Sequence, residues 1–189
     1  MNLVYLISPD FVKVYTTYMN DNIDNDLLDL GIIESQDIEL QSILGSKLYN
    51  SILEKASGDT LTGDYLSLVD DYCVKVVLYY TIKRSITRLL YKFNNKNIGI
   101  KSSDNTTPID FSAFNFLKES VSQDAEFYSQ RLINHLNEDG ASLYSEYNTE
   151  SGGDEIDPNM DTLYTTGLDL SSNSYKNLRN CRNKWLSND

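Results

Sequence analysis

The sequence predicts an all-α protein: a small helical bundle with one long central helix, a short loop or hairpin near residues 95–107, and an extended C-terminal arm. Three observations carry this prediction. From Tyr65 through Phe93, apolar residues recur three and four positions apart with neither Gly nor Pro among them, the period of a helix buried along one side. Turn formers then crowd the segment NNKNIGIKSSDNTTPID. From about Ala141 the chain becomes polar, rich in turn residues and without a sustained period, a composition that favours an arm over a packed element. The expected division is a helical domain over residues 1–147 and an arm over residues 148–189.

Each element has its own local reasons. Ser8-Pro9 reads as a helix start, because Ser accepts from a free helical amide and Pro tolerates the first position. That helix should run to about Met19, with Phe11, Val14, Tyr15 and Tyr18 on its apolar face. The stretch NDNIDND breaks it, since Asn and Asp bond their own backbone. A second helix is expected from about Asp26 to Ile43 and a third from Ser46 to Ala56, with Gly58 and Gly63 marking the next stop and start. The long helix uses Leu68, Val69, Tyr72, Cys73, Val76, Tyr79, Tyr80, Ile86 and Leu90, and a short strand or hairpin fits around Ile98 to Lys101. The last helix restarts after Thr107-Pro108, near there or at Ser112. It carries Phe114, Leu117, Val121, Phe127 or Tyr128, Leu132 and Leu136 and ends at Gly140.

Gly45, inside SQDIELQSILGSKLYNSIL, admits two readings. As a helix junction it closes the helix ending at Leu44 in a left-handed backbone, and Ser46 begins the next. Alternatively, it is tolerated inside one continuous helix at a cost of ~1 kcal/mol.

Composition bounds the function. A chain of 189 residues with 40% hydrophobic content can bury a sizeable core. Its net charge of -12 opposes broad binding to nucleic acid or to an anionic membrane. No apolar run approaches the ~20 residues that span a bilayer. The opening MNLVYLISPDF has no basic leader or long apolar run, so no signal peptide is expected. Cys73 and Cys181 fit a reducing compartment without a disulfide framework. Charge is unevenly placed: between Asp71 and Asp104 there is no acid, but Lys75, Lys83, Arg84, Arg88, Lys92, Lys96 and Lys101 are present. Residues 138–169 hold nine acids and no base, and Lys176, Arg179, Arg182 and Lys184 follow. Such alternation suits complementary contacts, including contacts between copies. A helix whose C-terminal half collects cations to suit its dipole accounts for the middle segment equally well.

Catalytic and metal patterns are not found. His135, the only histidine, lies beside Leu132, Ile133 and Leu136 and reads as a surface or packing residue. NDNIDNDLLDLGIIE fails the calcium-loop spacing, with Leu28 at position five and Gly31 two places late. SGGD and NIGI fit neither phosphate-binding glycine pattern. The expectation is a non-enzyme without cofactor or metal. Most of the fourteen tyrosines fall on helix faces, where core or interface packing explains them.

Three segments in this order, QDIELQSILGSKLYNSIL, YCVKVVLYYTIKRSITRLLYKFNNKNIGI and AEFYSQRLINHLNEDGASLYSEY, resemble the head-to-tail connector, or adaptor, proteins of tailed bacteriophages. The likeness is strongest to those of crAss-like and related Bacteroidetes phages and covers residues 8–147. It implies a structural virion protein at the head–tail junction, assembled in the host bacterial cytoplasm. Its partners would be copies of itself in a ring of twelve, the portal protein above, and other ring or tail proteins through the C-terminal arm. DNA would pass through the channel without specific binding, and no membrane is involved. Lys83, Arg84, Arg88, Lys92, Lys96 and Lys101 would contact a neighbouring subunit or the portal. The alternative is a helical nucleic-acid-binding protein that uses the basic segment 83–101. The arm matches nothing in the connector pattern.

Overall fold

Ser8 opens the first helix, α1 (Pro9–Tyr15): its hydroxyl accepts from the Phe11 amide at 3.1 Å, and Pro9 occupies a position that needs no amide partner. The computed structural model describes residues 4–16, 19, 22–93, 98–100, 110–147 and 155–159. α1 ends sooner than expected, with Thr16 already extended. The face it buries centres on Val12, while Val14 and Tyr15 stand exposed. A helix of two turns offers its neighbours little surface, and Val12 is the side chain it buries fully. Tyr18, expected on the same face, lies outside the described residues.

α2 (Asn25–Glu34) passes without a break through a π-helical segment, Ser35–Leu40, into α3 (Gln41–Leu44). Gly45 stops it with φ 76° and ψ 157°, a conformation essentially reserved for glycine. α4 (Ser46–Ser57) begins at the next residue. The junction reading of Gly45 therefore holds.

α5 (Gly63–Leu68), a second π-helical segment at Val69–Cys73, and α6 (Val74–Leu90) form the long central helix. Leu68, Cys73, Val76, Val77 and Ile82 on it are fully buried. Each such side chain contributes about 1.5–3 kcal/mol relative to exposure. β1 (Tyr91–Phe93) then pairs antiparallel with β2 (Ile98–Ile100), Tyr91 opposite Ile100. The hairpin thus starts a few residues before the expected 95–107, because the helix gives way at Leu90 instead of Phe93. Thr107 and Pro108 lie outside the described residues.

Asp110 caps α7 (Phe111–His135), its carboxylate accepting from the Ser112 amide at 3.3 Å. Gly140 does not end this helix, contrary to expectation. The chain continues through a π-helical segment, Leu136–Gly140, into α8 (Ala141–Leu143). What Gly140 supplies is space: a Cβ there would meet Tyr147 Cδ1 at 3.0 Å. The chain uses that space to fold back, and Tyr144 and Tyr147 are buried.

α6 lies at the centre, packed against both α2 and α7. Small side chains hold the α2 crossing close: Thr81 Oγ1 donates to Val77 O at 2.7 Å and reaches Ser35 Oγ at 3.4 Å, and Ser35 donates to Gly31 O at 2.7 Å. Nearby, the buried Gln36 grips the N-terminal segment at two points. Its Oε1 accepts from the Leu6 amide at 2.8 Å and its Nε2 donates to Val4 O at 3.0 Å. Among the described residues, no helix is long and apolar enough to cross a membrane.

Candidate functional site

The basic segment is only partly available for contacts. On α6, Arg84 reaches Glu34 at 3.4 Å and Glu39 at 2.7 Å, and Arg88 pairs with Glu34. Two of the six expected contact residues therefore hold α6 to α2 and the π-helical turn after it. All four side chains keep part of their surface in water, so each pair contributes about 1 kcal/mol or less. Lys83 sits with its ammonium 5.2 Å from the Tyr80 ring centre. Lys92 lies on β1, its side chain outside the described set, and Lys96 and Lys101 lie outside the described residues altogether. Lys83, Arg84 and Arg88 meet Lys118 of α7 and Glu39 around a cleft of about 370 Å³. Lys118 was not among the residues expected there, because only folding brings α7 beside the basic turns of α6.

The Gly45 corner is occupied by the chain itself. Residues 155–159, hereafter the strap, run across it. Ser46 N donates to Ile156 O at 2.8 Å, Ile156 N donates to Ser46 Oγ at 2.8 Å, and Asn159 N donates to Ser42 O at 2.9 Å. Pro158 sits over the glycine: a Cβ at Gly45 would meet Pro158 Cδ at 2.8 Å and Ile156 O at 3.3 Å. The first amide of α4 and a late carbonyl of α3, both without partners inside their own helices, are thereby satisfied. Sequence reasoning found the corner but not its cover. At the corner itself the strap presents backbone groups, which leave no residue pattern, and Pro158.

Glu146 forms a third focus. Its carboxylate accepts from Tyr65 OH at 2.6 Å, Ser51 Oγ at 3.0 Å and Ser145 Oγ at 2.9 Å, with Lys55 at 3.7 Å. Burial alone would raise its pKa. Hydrogen bonds from Tyr65, Ser145, its own backbone amide and Ser51 outweigh that and hold it at about 2, below the ordinary 4.5. The folded state therefore stays ionised at pH values where the unfolded chain takes up a proton. The stabilisation is fully present above pH 4.5 and is lost as pH falls toward 2. Glu146→Gln is expected to cost about 1–2 kcal/mol at neutral pH, discounted for partial exposure. It should also flatten the acid limb of stability against pH between those limits, measured by urea unfolding at stepped pH. An unchanged acid limb would show that the carboxylate does not tie these elements together.

Aromatic side chains gather where α1, α6 and α7 meet. Phe11 and Tyr15 stack at 4.2 Å, and Tyr79 and Tyr128 at 4.9 Å. All four border one groove of about 420 Å³ between α1, α6 and α7. Phe127 meets Tyr128 edge-on at 5.3 Å and is 62% exposed. Phe116, three turns earlier on the same face of α7, is 78% exposed, and Tyr15 is 68% exposed.

The residues that invited chemical readings pack instead. His135 stacks on Tyr72 with ring centres 4.4 Å apart, and its Nε2 lies 3.4 Å from Tyr144 OH. Cys73 is fully enclosed, and burial pushes its thiol pKa far up, away from thiolate chemistry. Among the described residues, no group of three or more His, Cys, Asp or Glu side chains is placed to hold a metal ion.

A family model described as a family of unknown function (DUF6712) matches residues 40–155. That span covers more than half of the chain, from the end of the first π-helical segment through the Gly45 corner, central helix, hairpin and α7 to the first residue of the strap. No curated protein and no solved structure matches the chain. With the greater part of its length matched, including the corner and the elements that build the core, this chain belongs to the family of unknown function DUF6712.

Proposed function

We propose that this protein is a structural virion subunit. In this reading it forms an oligomeric ring, of twelve copies, below the portal of a tailed bacteriophage, joins head to tail and extends the DNA channel. It acts at the head–tail junction after assembly in the host bacterial cytoplasm. The resemblance to phage connectors supports the reading, and the run that carries it is the run that folds as the bundle.

The observation that carries it furthest is the exposed aromatic surface on α1 and α7. Tyr15, Phe116 and Phe127 turn most of their area to water, and a folded chain gains nothing by leaving them there. Covering each against a neighbouring copy or the portal is worth about 1.5–3 kcal/mol, and aromatic side chains are enriched at such interfaces. The nucleic-acid alternative is weaker, because Arg84 and Arg88 are already paired with acids of their own chain.

Mass photometry of the purified chain, with and without portal protein, tests the proposal. A ring mass is expected in at least one condition, and monomer alone in both would overturn it. Replacing Phe116 and Phe127 together by glutamate should abolish the ring while leaving the unfolding midpoint nearly unchanged, since neither ring is part of the buried core.

A further inference from the structure

The strap and the corner are two halves of a joint carried by every copy. The corner is a socket for an extended peptide. It offers one carbonyl (Ser42), one amide and one hydroxyl (both Ser46), and a seat for a proline ring where Gly45 lacks a Cβ. The strap supplies matching backbone groups and Pro158. It buries little apolar surface besides, for Ile156 is 42% exposed and the residues on either side of it are also exposed.

Between Tyr147, seated against Gly140, and the strap lie only Asn148, Thr149, Glu150, Ser151, Gly152, Gly153 and Asp154. None of these seven carries a hydrophobic side chain, and seven residues reach at most about 25 Å. Seating the strap on another copy would preserve every contact it makes at home, so the exchange costs little in contact energy.

We propose that the strap of one copy seats on the Gly45 corner of the next. Strap and corner are different surfaces, so the contact is head-to-tail. Repeated contacts of that kind close into rings when the rotation between neighbours permits. The inference rests on the ring reading for its geometry, and it names the joint that links one copy to the next.

Engineered thiols test it in the full chain. Ser42 and Asn159 are joined by a backbone hydrogen bond of 2.9 Å, so cysteines at the two positions report docking. All chains carry Cys181→Ser, leaving only the buried Cys73 besides the introduced thiol. Isotope-labelled S42C chains are mixed with unlabelled N159C chains and oxidised mildly. A disulfide joining one labelled and one unlabelled chain is expected. It should be lost when the S42C chain also carries Gly45→Ala. It should likewise be lost when the N159C chain carries Ile156→Pro, which deletes the amide donated to Ser46 without touching the bundle.

If the double variant S42C/N159C closes only within single chains while the mixture gives no mixed disulfide, exchange is overturned. A mixed product that survives Ile156→Pro, or a double variant that closes no bond, overturns it as well. Mass photometry on the same samples separates the two proposals. A ring without the mixed disulfide removes exchange and leaves the ring. The mixed disulfide without any ring removes the ring and leaves exchange.

Discussion

Replacing Gly45 by valine should lower the unfolding free energy by about 3–5 kcal/mol, read as a fall in the denaturant midpoint at constant slope. Two costs combine. A β-branched residue held at φ 76° and ψ 157° is strained by about 1–3 kcal/mol. Its Cβ would also stand 2.8 Å from Pro158 Cδ and 3.0 Å from Pro158 N, and forcing atoms into a filled space costs a further 1–3 kcal/mol or so. Pro158→Ala separates the two. It unseats the strap without straining the corner and should cost less than about 1 kcal/mol. Equal midpoints for Gly45→Val and the parent chain would mean that the helices do not turn there.

The second large effect is at Tyr147. It is 1% exposed, and its ring lies against the bare backbone of Gly140 at the end of the π-helical segment that follows α7. Tyr147→Ala empties that space and should cost about 3–5 kcal/mol, the usual range for removing a fully buried aromatic side chain. Tyr147→Phe should be almost silent, because the hydroxyl reaches Asn137 Oδ1 only at 3.5 Å, the outer edge of hydrogen-bond distance. Equally large losses for Phe and Ala, in the same urea titration, would show that the hydroxyl and not the ring holds the turn.

The helices were legible because each buries one side, and one-sided burial writes a period into the residues. The π-helical segments were not, since Leu68, Val69, Tyr72 and Cys73 keep a three-and-four spacing whether the turn is α or π. The start of the hairpin was obscured for a similar reason. Tyr91 and Phe93 suit a strand, yet they also extend the apolar stripe that ends at Leu90. Gly45 could be read as a corner because its left-handed geometry is a local property of one residue. The basic segment could be seen but not assigned. Glu34 and Glu39 lie 45–54 residues before the arginines they hold, and only tertiary folding pairs them. The strap escaped detection because hydrogen bonds between backbone groups are made by any sequence that can lie extended there.

The distance along the chain between the corner and its cover has a consequence for synthesis. Ile156 follows Ser46 by 110 residues. At about 5–20 residues per second, a ribosome needs roughly 5–20 s to add them. Throughout that interval the Ser46 amide and the Ser42 carbonyl are made but uncovered, while α4 and the central helix are already able to form. The corner is therefore built well before its cover, and the strap is the last of these parts to be made.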